Sequence, residues 1–210
     1  GNPLIAEKRI ALQKLVLENK CDVGVIYDGD ADRVMFVDEN GEFISPDLMI
    51  AALCQYFLKE KGLKGKVYQD IRTSKSVGEY VESLGSEMVM WRVGRAYAAS
   101  KLREVDGIFG GELAGHYYFR DFYYSDSGIL ASLILLGIIA KNKQNGISVS
   151  KLISSIRHYE NSGEINFKIE EKKRAMDSIV SHFTSAEKPT AFYDFDGYRI
   201  EYKDWWLNIR

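Results

Sequence analysis

The chain has only two cysteines, Cys21 and Cys54, at widely separated positions. Two isolated thiols make neither a disulfide framework nor the paired spacing of a zinc site. Cys21 precedes an apolar strand-like run and Cys54 lies inside an apolar helix-like one, so both are expected as buried free thiols in a reducing, cytoplasmic setting. An excess of either charge is also missing, with 28 basic against 30 acidic side chains and a formal net charge of −2. That balance argues against wholesale binding to nucleic acid or to an anionic membrane. No apolar run is long enough to span a bilayer: the longest, Ile129 to Ala140, has 12 residues, against the ~20 needed. It is expected as a buried core helix. An initiator Met is absent, the chain opening Gly1-Asn2-Pro3, and no signal peptide is visible, so this end is expected not to be native. No internal repeat or low-complexity segment interrupts the chain. With 46% hydrophobic and 28% charged residues, the composition is that of an ordinary folded domain.

The apolar pattern divides the chain. Residues 4–19 carry Ile5, Leu12, Leu15 and Val16 on one helical face. A strand over 22–27 ends in an acidic loop, a second strand begins at Val34, and Asn40-Gly41 supplies a hairpin turn before a return strand at 42–44. Ser45-Pro46 starts a helix expected to reach Lys61. From there strands at 67–69, 87–91 and 107–109 alternate with helices at 75–84, 96–104 and 127–141. Such alternation predicts an α/β layered domain with a largely parallel sheet. Beyond residue 157 a strand near Ile165–Ile169, a helix at 171–183 and strand-like runs around Asp196-Gly197 are expected. Trp205 and Trp206 are expected to pack on that last sheet. The organisation reads as the tail of one domain (1–44), a whole central domain (45–157) and the start of a third (158–210).

The acidic loop is Asp28-Gly-Asp-Ala-Asp-Arg33. Three carboxylates in five residues repel one another unless a cation sits among them, and small spacers allow a tight turn. Oxygen-only ligands from Asp28, Asp30 and Asp32 suit a hard ion such as Mg²⁺. Arg33 adds a guanidinium fork suited to phosphate. A solvated acidic turn is the plain alternative. An EF-hand would need Gly where Arg33 stands in the sixth position. An aspartate-nucleophile phosphatase, with Asp28 attacking, is a further alternative, although that motif usually has Thr or Val where Asp32 stands.

A second loop, Gly110-Gly-Glu-Leu-Ala-Gly-His116, follows the strand expected at 107–109. Loops at the carboxyl ends of parallel strands are where α/β sheets hold ligands. Its glycines allow close backbone approach to a ligand, Glu112 can accept from a sugar diol, and His116 can donate to a phosphate or hydroxyl. A structural turn is the alternative. Arg72 and Arg95 follow strand-like runs and are expected on the same sheet edge. The aromatic cluster from Tyr117 to Tyr124 is expected to pack between domains.

These pieces, in this order, resemble the α-D-phosphohexomutases, most closely the bacterial phosphomannomutase/phosphoglucomutase group. The resemblance rests on Asn2-Pro-Leu4, the loop at 28–33, Val93-Gly94, Gly111-Glu112 through His116, and Asp196-Gly197 through Trp205 to Arg210. It implies a three-layer α/β/α domain with a mostly parallel mixed sheet, flanked by parts of two neighbouring domains. The implied activity moves phosphate between the 1- and 6-hydroxyls of a hexose by way of a phosphoserine and a hexose bisphosphate. Implied metal ligands are Asp28, Asp30 and Asp32, holding Mg²⁺. Arg33, Arg72, Arg95 and His116 are implied near the reacting groups, and Gly111, Glu112, Ala114, His116 and Arg210 near the hexose phosphate. Ala114 stands where close relatives usually have Ser, which loosens any inference about sugar preference. Arginine stays protonated, so Arg72 and Arg95 suit a clamp better than a proton shuttle. The phosphoserine segment is expected upstream of Gly1 and the phosphate-gripping loop from Arg210 onward, within the remaining mutase domains of a longer parent. A fragment without them is expected to be inactive. A non-catalytic sugar-phosphate-binding module is the other alternative.

Overall fold

The computed structural model describes residues 2–210, which form two compact units, to residue 158 and from Tyr159 onward. In the first unit a single-turn segment, Ala6–Lys8, precedes helix α1 (Ile10–Asn19). The helix is therefore shorter than the 4–19 expected, and of its face Val16 is buried while Ile5 and Leu15 are exposed. Lys20 in the left-handed region closes it. Strands β1 (Val23–Tyr27), β2 (Val34–Asp38) and β3 (Phe43–Ile44) follow as an antiparallel sheet. The acidic loop is the connection between β1 and β2.

Helix α2 (Pro46–Cys54) is buried along its whole length. The chain continues to Glu60 in wider π-type turns rather than as the uniform helix expected to Lys61. Five strands then build a mixed sheet in the order β5-β4-β6-β7-β8. They are β4 (Lys66–Asp70), β5 (Glu87–Trp91), β6 (Phe109–Gly111), β7 (Tyr117–Phe119) and β8 (Ser125–Asp126). The first three are parallel and β7 and β8 return antiparallel. Helices α3 (Lys75–Ser83), α4 (Arg95–Glu104), α5 (Gly128–Gln144) and α6 (Val149–Ser154) complete the unit. Serine hydroxyls at Ser74, Ser127 and Ser148 accept from first-turn amides at the starts of α3, α5 and α6.

Strand alternation sets the layers. Val67 faces the larger core with α2, α3, α5 and α6, while its neighbour Tyr68 faces α4 through Ala98 and Leu102. The result is an α/β/α sandwich, as expected. Val34 and Phe36 of β2 lie in the same core as Met49 and Phe109. Residues 1–44 and 45–157, separable in the sequence pattern, thus share one apolar interior.

Four expectations need correction. The strand expected at 107–109 runs from Phe109 to Gly111, so Gly110 and Gly111 are strand residues. A Cβ on Gly110 would stand 2.5 Å from Tyr68 Cβ, and one on Gly111 2.8 Å from Ile50 Cγ1. Their smallness is required by strand and helix packing inside the domain. The aromatic cluster also splits: Tyr117, Tyr118 and Phe119 form β7 and are buried within the unit, whereas Tyr123 is 86% exposed. Cys54 is buried but Cys21 is exposed. Helix α5 buries one face only, leaving Ile129 and Leu133 exposed. No helix among the described residues is long and apolar enough to cross a membrane.

In the second unit, helix α7 (Lys172–Ala186) accompanies an antiparallel sheet ordered β11-β10-β9. Its strands are β9 (Ala191–Tyr193), β10 (Tyr198–Glu201) and β11 (Trp206–Ile209). Gly197 makes the β9–β10 turn at φ +72°, where a Cβ would strike Ile209 O. Tyr202 stacks on Trp205 at 4.4 Å, and the Arg199 guanidinium lies over Trp206. The strand expected at Ile165–Ile169 does not form. Ile165, Phe167 and Ile169 alternate as a half-buried strand would, yet all three are exposed, because no neighbouring strand pairs with them.

Candidate functional site

The acidic loop is shaped by its neighbours. Ala31 adopts φ +59°, a conformation that disfavours a side chain. Gly128, the first residue of α5, packs against the loop backbone, where a Cβ would come within 2.8 Å of Ala31 O and 2.9 Å of Arg33 C. The amino end of α5 therefore sits beside the carboxylates, where its positive dipole end favours them. Arg33 Nε donates to Asp28 Oδ2 at 2.7 Å, and the Arg33 amide donates to Asp28 Oδ1 at 3.3 Å. Burial alone would raise the Asp28 pKa, but these bonds outweigh it and hold the carboxyl below its ordinary value. Asp32 is shifted the other way, by burial and by its acidic neighbours Asp28 and Asp30, against the pull of His116. One carboxylate oxygen from each of Asp28, Asp30 and Asp32 lies within 4.8 Å of the others. Asp32 Oδ1 is buried without a hydrogen-bond donor. An all-oxygen set with such an orphaned acceptor fits a hard divalent cation.

The second loop docks directly on the first. Arg33 and His116 form an isolated antiparallel bridge, and the Val34 amide donates to Gly115 O at 3.1 Å. Gly115 takes φ +92° with Met35 and Val34 O close against it. His116 Nε2 lies 3.4 Å from Asp32 Oδ2, and its Nδ1 lies 2.9 Å from Glu112 Oε2. The Nδ1 contact is an ion-pair approach, not an aligned hydrogen bond. Burial lowers the His116 pKa, but Glu112, Asp32 and Asp126 together raise it above 6.5.

Glu112 is itself 1% exposed. Its Oε1 accepts from the Gly94 amide at 2.6 Å and its Oε2 from Tyr118 OH at 2.9 Å. Against the raising effect of burial, His116, Gly94 and Tyr118 bring its pKa below the ordinary carboxylate value. The carboxylate expected to face a diol also ties the Gly94 backbone to β7, with His116 alongside. Gly111 is buried in β6, while Ala114 and His116 are partly exposed.

The arginines are placed by acidic partners that sequence reading missed. Arg72 Nε and Nη2 grip Asp70 at 3.1 and 2.8 Å, and Asp70 Oδ2 also accepts from the Leu113 amide at 2.8 Å. Arg95 Nε pairs with Asp126 Oδ1 at 2.8 Å, with the arginine 62% exposed and the aspartate side chain fully buried. Asp47 is another buried carboxylate, accepting from Ser45, Leu48 and Ser74. The signal for Asp70 was its place at the carboxyl end of β4, two residues before Arg72. Arg210 lies in the second unit, with Nη2 3.1 Å from Asp196 Oδ1.

Fold and site together define an α/β/α domain in which a carboxylate loop meets a glutamate–histidine loop. Residues 45–159 match the family model for phosphoglucomutase/phosphomannomutase, alpha/beta/alpha domain III, and the chain belongs to that family. It is 38% identical over 211 aligned positions to a phosphomannomutase of Vibrio cholerae, covering all of this chain and 44% of that protein. A phosphomannomutase of Methanocaldococcus jannaschii is 37% identical, with 94% of this chain and 42% of that protein covered. The chain thus spans less than half the length of these relatives. In fold it resembles the crystal structure of a phosphoglucomutase/phosphomannomutase family protein from Burkholderia thailandensis. That likeness has a TM-score of 0.84 at 23% identity and covers 98% of this chain and 43% of the other.

Proposed function

We propose that this chain is part of a Mg²⁺-dependent phosphohexomutase that moves phosphate between the 1- and 6-hydroxyls of a hexose through a phosphoserine and a bisphosphate. Residues 1–44 would close a second domain carrying the metal loop, 45–157 form the third and 158–210 open the fourth. The single observation that carries the reading is the contact of the two loops at Arg33 and His116. It sets three clustered carboxylates beside a histidine and an exposed arginine at the carboxyl edge of a parallel sheet, where α/β domains take phosphorylated ligands.

In this reading Asp28, Asp30 and Asp32 would hold Mg²⁺, which supplies charge neutralisation to a phosphoryl group when bound. Arg95 is the arginine most open to an incoming phosphate; Arg33 and Arg72 are more enclosed and paired with Asp28 and Asp70. His116 is the group here able to hold or pass a proton near neutral pH, since arginines stay protonated. Glu112 keeps the imidazole and the Gly94 turn in place, with Ala114 nearer the sugar. The phosphatase alternative is weakened by Asp28, whose carboxylate is engaged by Arg33 instead of being poised to attack.

Calorimetric titration of Mg²⁺ tests the metal assignment. Wild type is expected to bind weakly and Asp30→Ala at least about tenfold more weakly; equal binding by both sinks it. A coupled assay for glucose 6-phosphate, primed with the bisphosphate, is expected to show no turnover by this chain alone. The phosphoryl donor and the second phosphate grip must be held in the same closed site.

A further inference from the structure

A second cluster shares Asp32 with the acidic loop and reaches in a different direction. Asp32, His116 and Asp126 each offer a donor atom within 4.8 Å of the other two. The three come from separate places in the fold, the acidic loop, the residue just before β7 and the end of β8. Sequence spacing shows nothing of this grouping, because Asp126 arrives only through the antiparallel return of β7 and β8.

Three features distinguish this from an accidental acidic patch. Asp126 is completely enclosed, and only one of its oxygens is engaged: Oδ1 takes Arg95, while Oδ2 is buried with no hydrogen-bond partner. A buried carboxylate oxygen without a donor is costly unless something positive meets it. Second, the imidazole is already oriented as a ligand. Its Nδ1 faces Glu112 at 2.9 Å and its Nε2 faces Asp32 at 3.4 Å. A carboxylate behind the far nitrogen is the usual support of a metal-bound histidine, and Glu112 stands in that place although its contact with Nδ1 is not an aligned hydrogen bond. Two donors about 2.1 Å from one tetrahedral ion stand roughly 3.4 Å apart, which matches the Nε2 to Asp32 separation. Third, carboxylates meet the imidazole from three places in the fold: Asp32, Asp126 and Glu112 converge there, with Arg95 on Asp126 Oδ1 and Arg33 Nε 3.8 Å from Asp32 Oδ1, and a divalent cation among them would offset their mutual repulsion.

We infer that Asp32, His116 and Asp126 form a second divalent-metal site, distinct from the all-carboxylate set, with Glu112 supporting the histidine. One imidazole and two carboxylates are a donor set for a borderline ion such as Zn²⁺, not for Mg²⁺. Because Asp32 belongs to both sets, an ion here competes with one bound by Asp28 and Asp30. The inference does not depend on the mutase reading.

The test titrates Zn²⁺, and Co²⁺ as its coloured substitute, into the metal-free 210-residue chain. Asp126→Asn and His116→Gln are each expected to weaken Zn²⁺ binding at least about tenfold, and Glu112→Gln about tenfold. Asp30→Asn, outside this cluster, should change Zn²⁺ affinity less than about threefold while weakening Mg²⁺, and Asp126→Asn should leave Mg²⁺ binding unchanged. In the wild-type chain, nitrogen-detected NMR should show Zn²⁺ moving the Nε2 resonance of His116 and not those of His158 or His182. Zn²⁺ binding that survives both Asp126→Asn and His116→Gln, or that falls equally in Asp30→Asn, overturns the inference. So does a wild-type spectrum in which His116 does not respond, a readout that needs no variant to fold.

Discussion

Arg33 pairs with His116 across a single antiparallel bridge, and this contact joins the acidic loop to the glutamate–histidine loop. The loop's other wall is Gly128 at the start of α5. Gly128→Ala would force a methyl into Ala31 O and Arg33 C, and overpacking of this kind costs about 1–3 kcal/mol. Gly137 lies on the same helix with nothing within 4 Å of its would-be Cβ, so Gly137→Ala should be neutral or stabilising by up to ~1 kcal/mol. Urea denaturation of the two variants reads the contrast directly. Equal stabilities would mean that the loop is not packed as described.

Buried carboxylates hold the sheet edge. Asp70 accepts from the Arg72 and Leu113 amides and from the Arg72 side chain. Hydrogen bonds to charged groups contribute about 1.5–3 kcal/mol, so Asp70→Ala should lower stability by at least that much. It should also speed hydrogen exchange at Leu113 more than at Leu102, which lies on the buried face of α4. Unchanged exchange at Leu113 would contradict the tie.

The pH dependence follows from His116 and Glu112. Burial opposes a charged imidazole, yet its carboxylate neighbours raise the folded pKa above 6.5. A raised histidine contributes stability that is complete below the unfolded pKa and lost as pH rises through the folded one. Glu112, held below its ordinary value, contributes above 4.5 and loses that contribution as pH falls through its folded pKa. In EDTA, the Tm advantage of wild type over His116→Gln should therefore grow from about pH 9 to about pH 6. A constant difference over that range would show that the imidazole is not charge-coupled to Glu112.

The thiols should differ sharply. Cys21 is exposed, while Cys54 is buried and its thiol is pushed up to about 12 by burial. Since the thiolate is the reactive form, a disulfide reagent at neutral pH should titrate one thiol in the native chain and both in denaturant. Rapid native modification of Cys54 would be inconsistent with its place in α2.

Much of the site's chemistry is contained in short contiguous stretches. Asp28, Asp30, Asp32 and Arg33 lie within one loop, and Glu112 and His116 within another, so composition and spacing alone identify the residue types. The alternation of apolar runs likewise dictates the α/β layering, because helix and strand periods are local properties of the chain. Tertiary structure decided what each of those residues faces. Only folding shows that Gly110 and Gly111 lie tight against Tyr68 and Ile50. Ile165, Phe167 and Ile169 carry a strand pattern without a strand, since pairing requires a partner that pattern cannot supply. Asp126 was invisible because its importance comes from the antiparallel return that lays β8 beside β7. Glu112 turned inward for the same reason: burial and the donors Gly94 and Tyr118, brought together only by folding, fix where a carboxylate's lone pairs go.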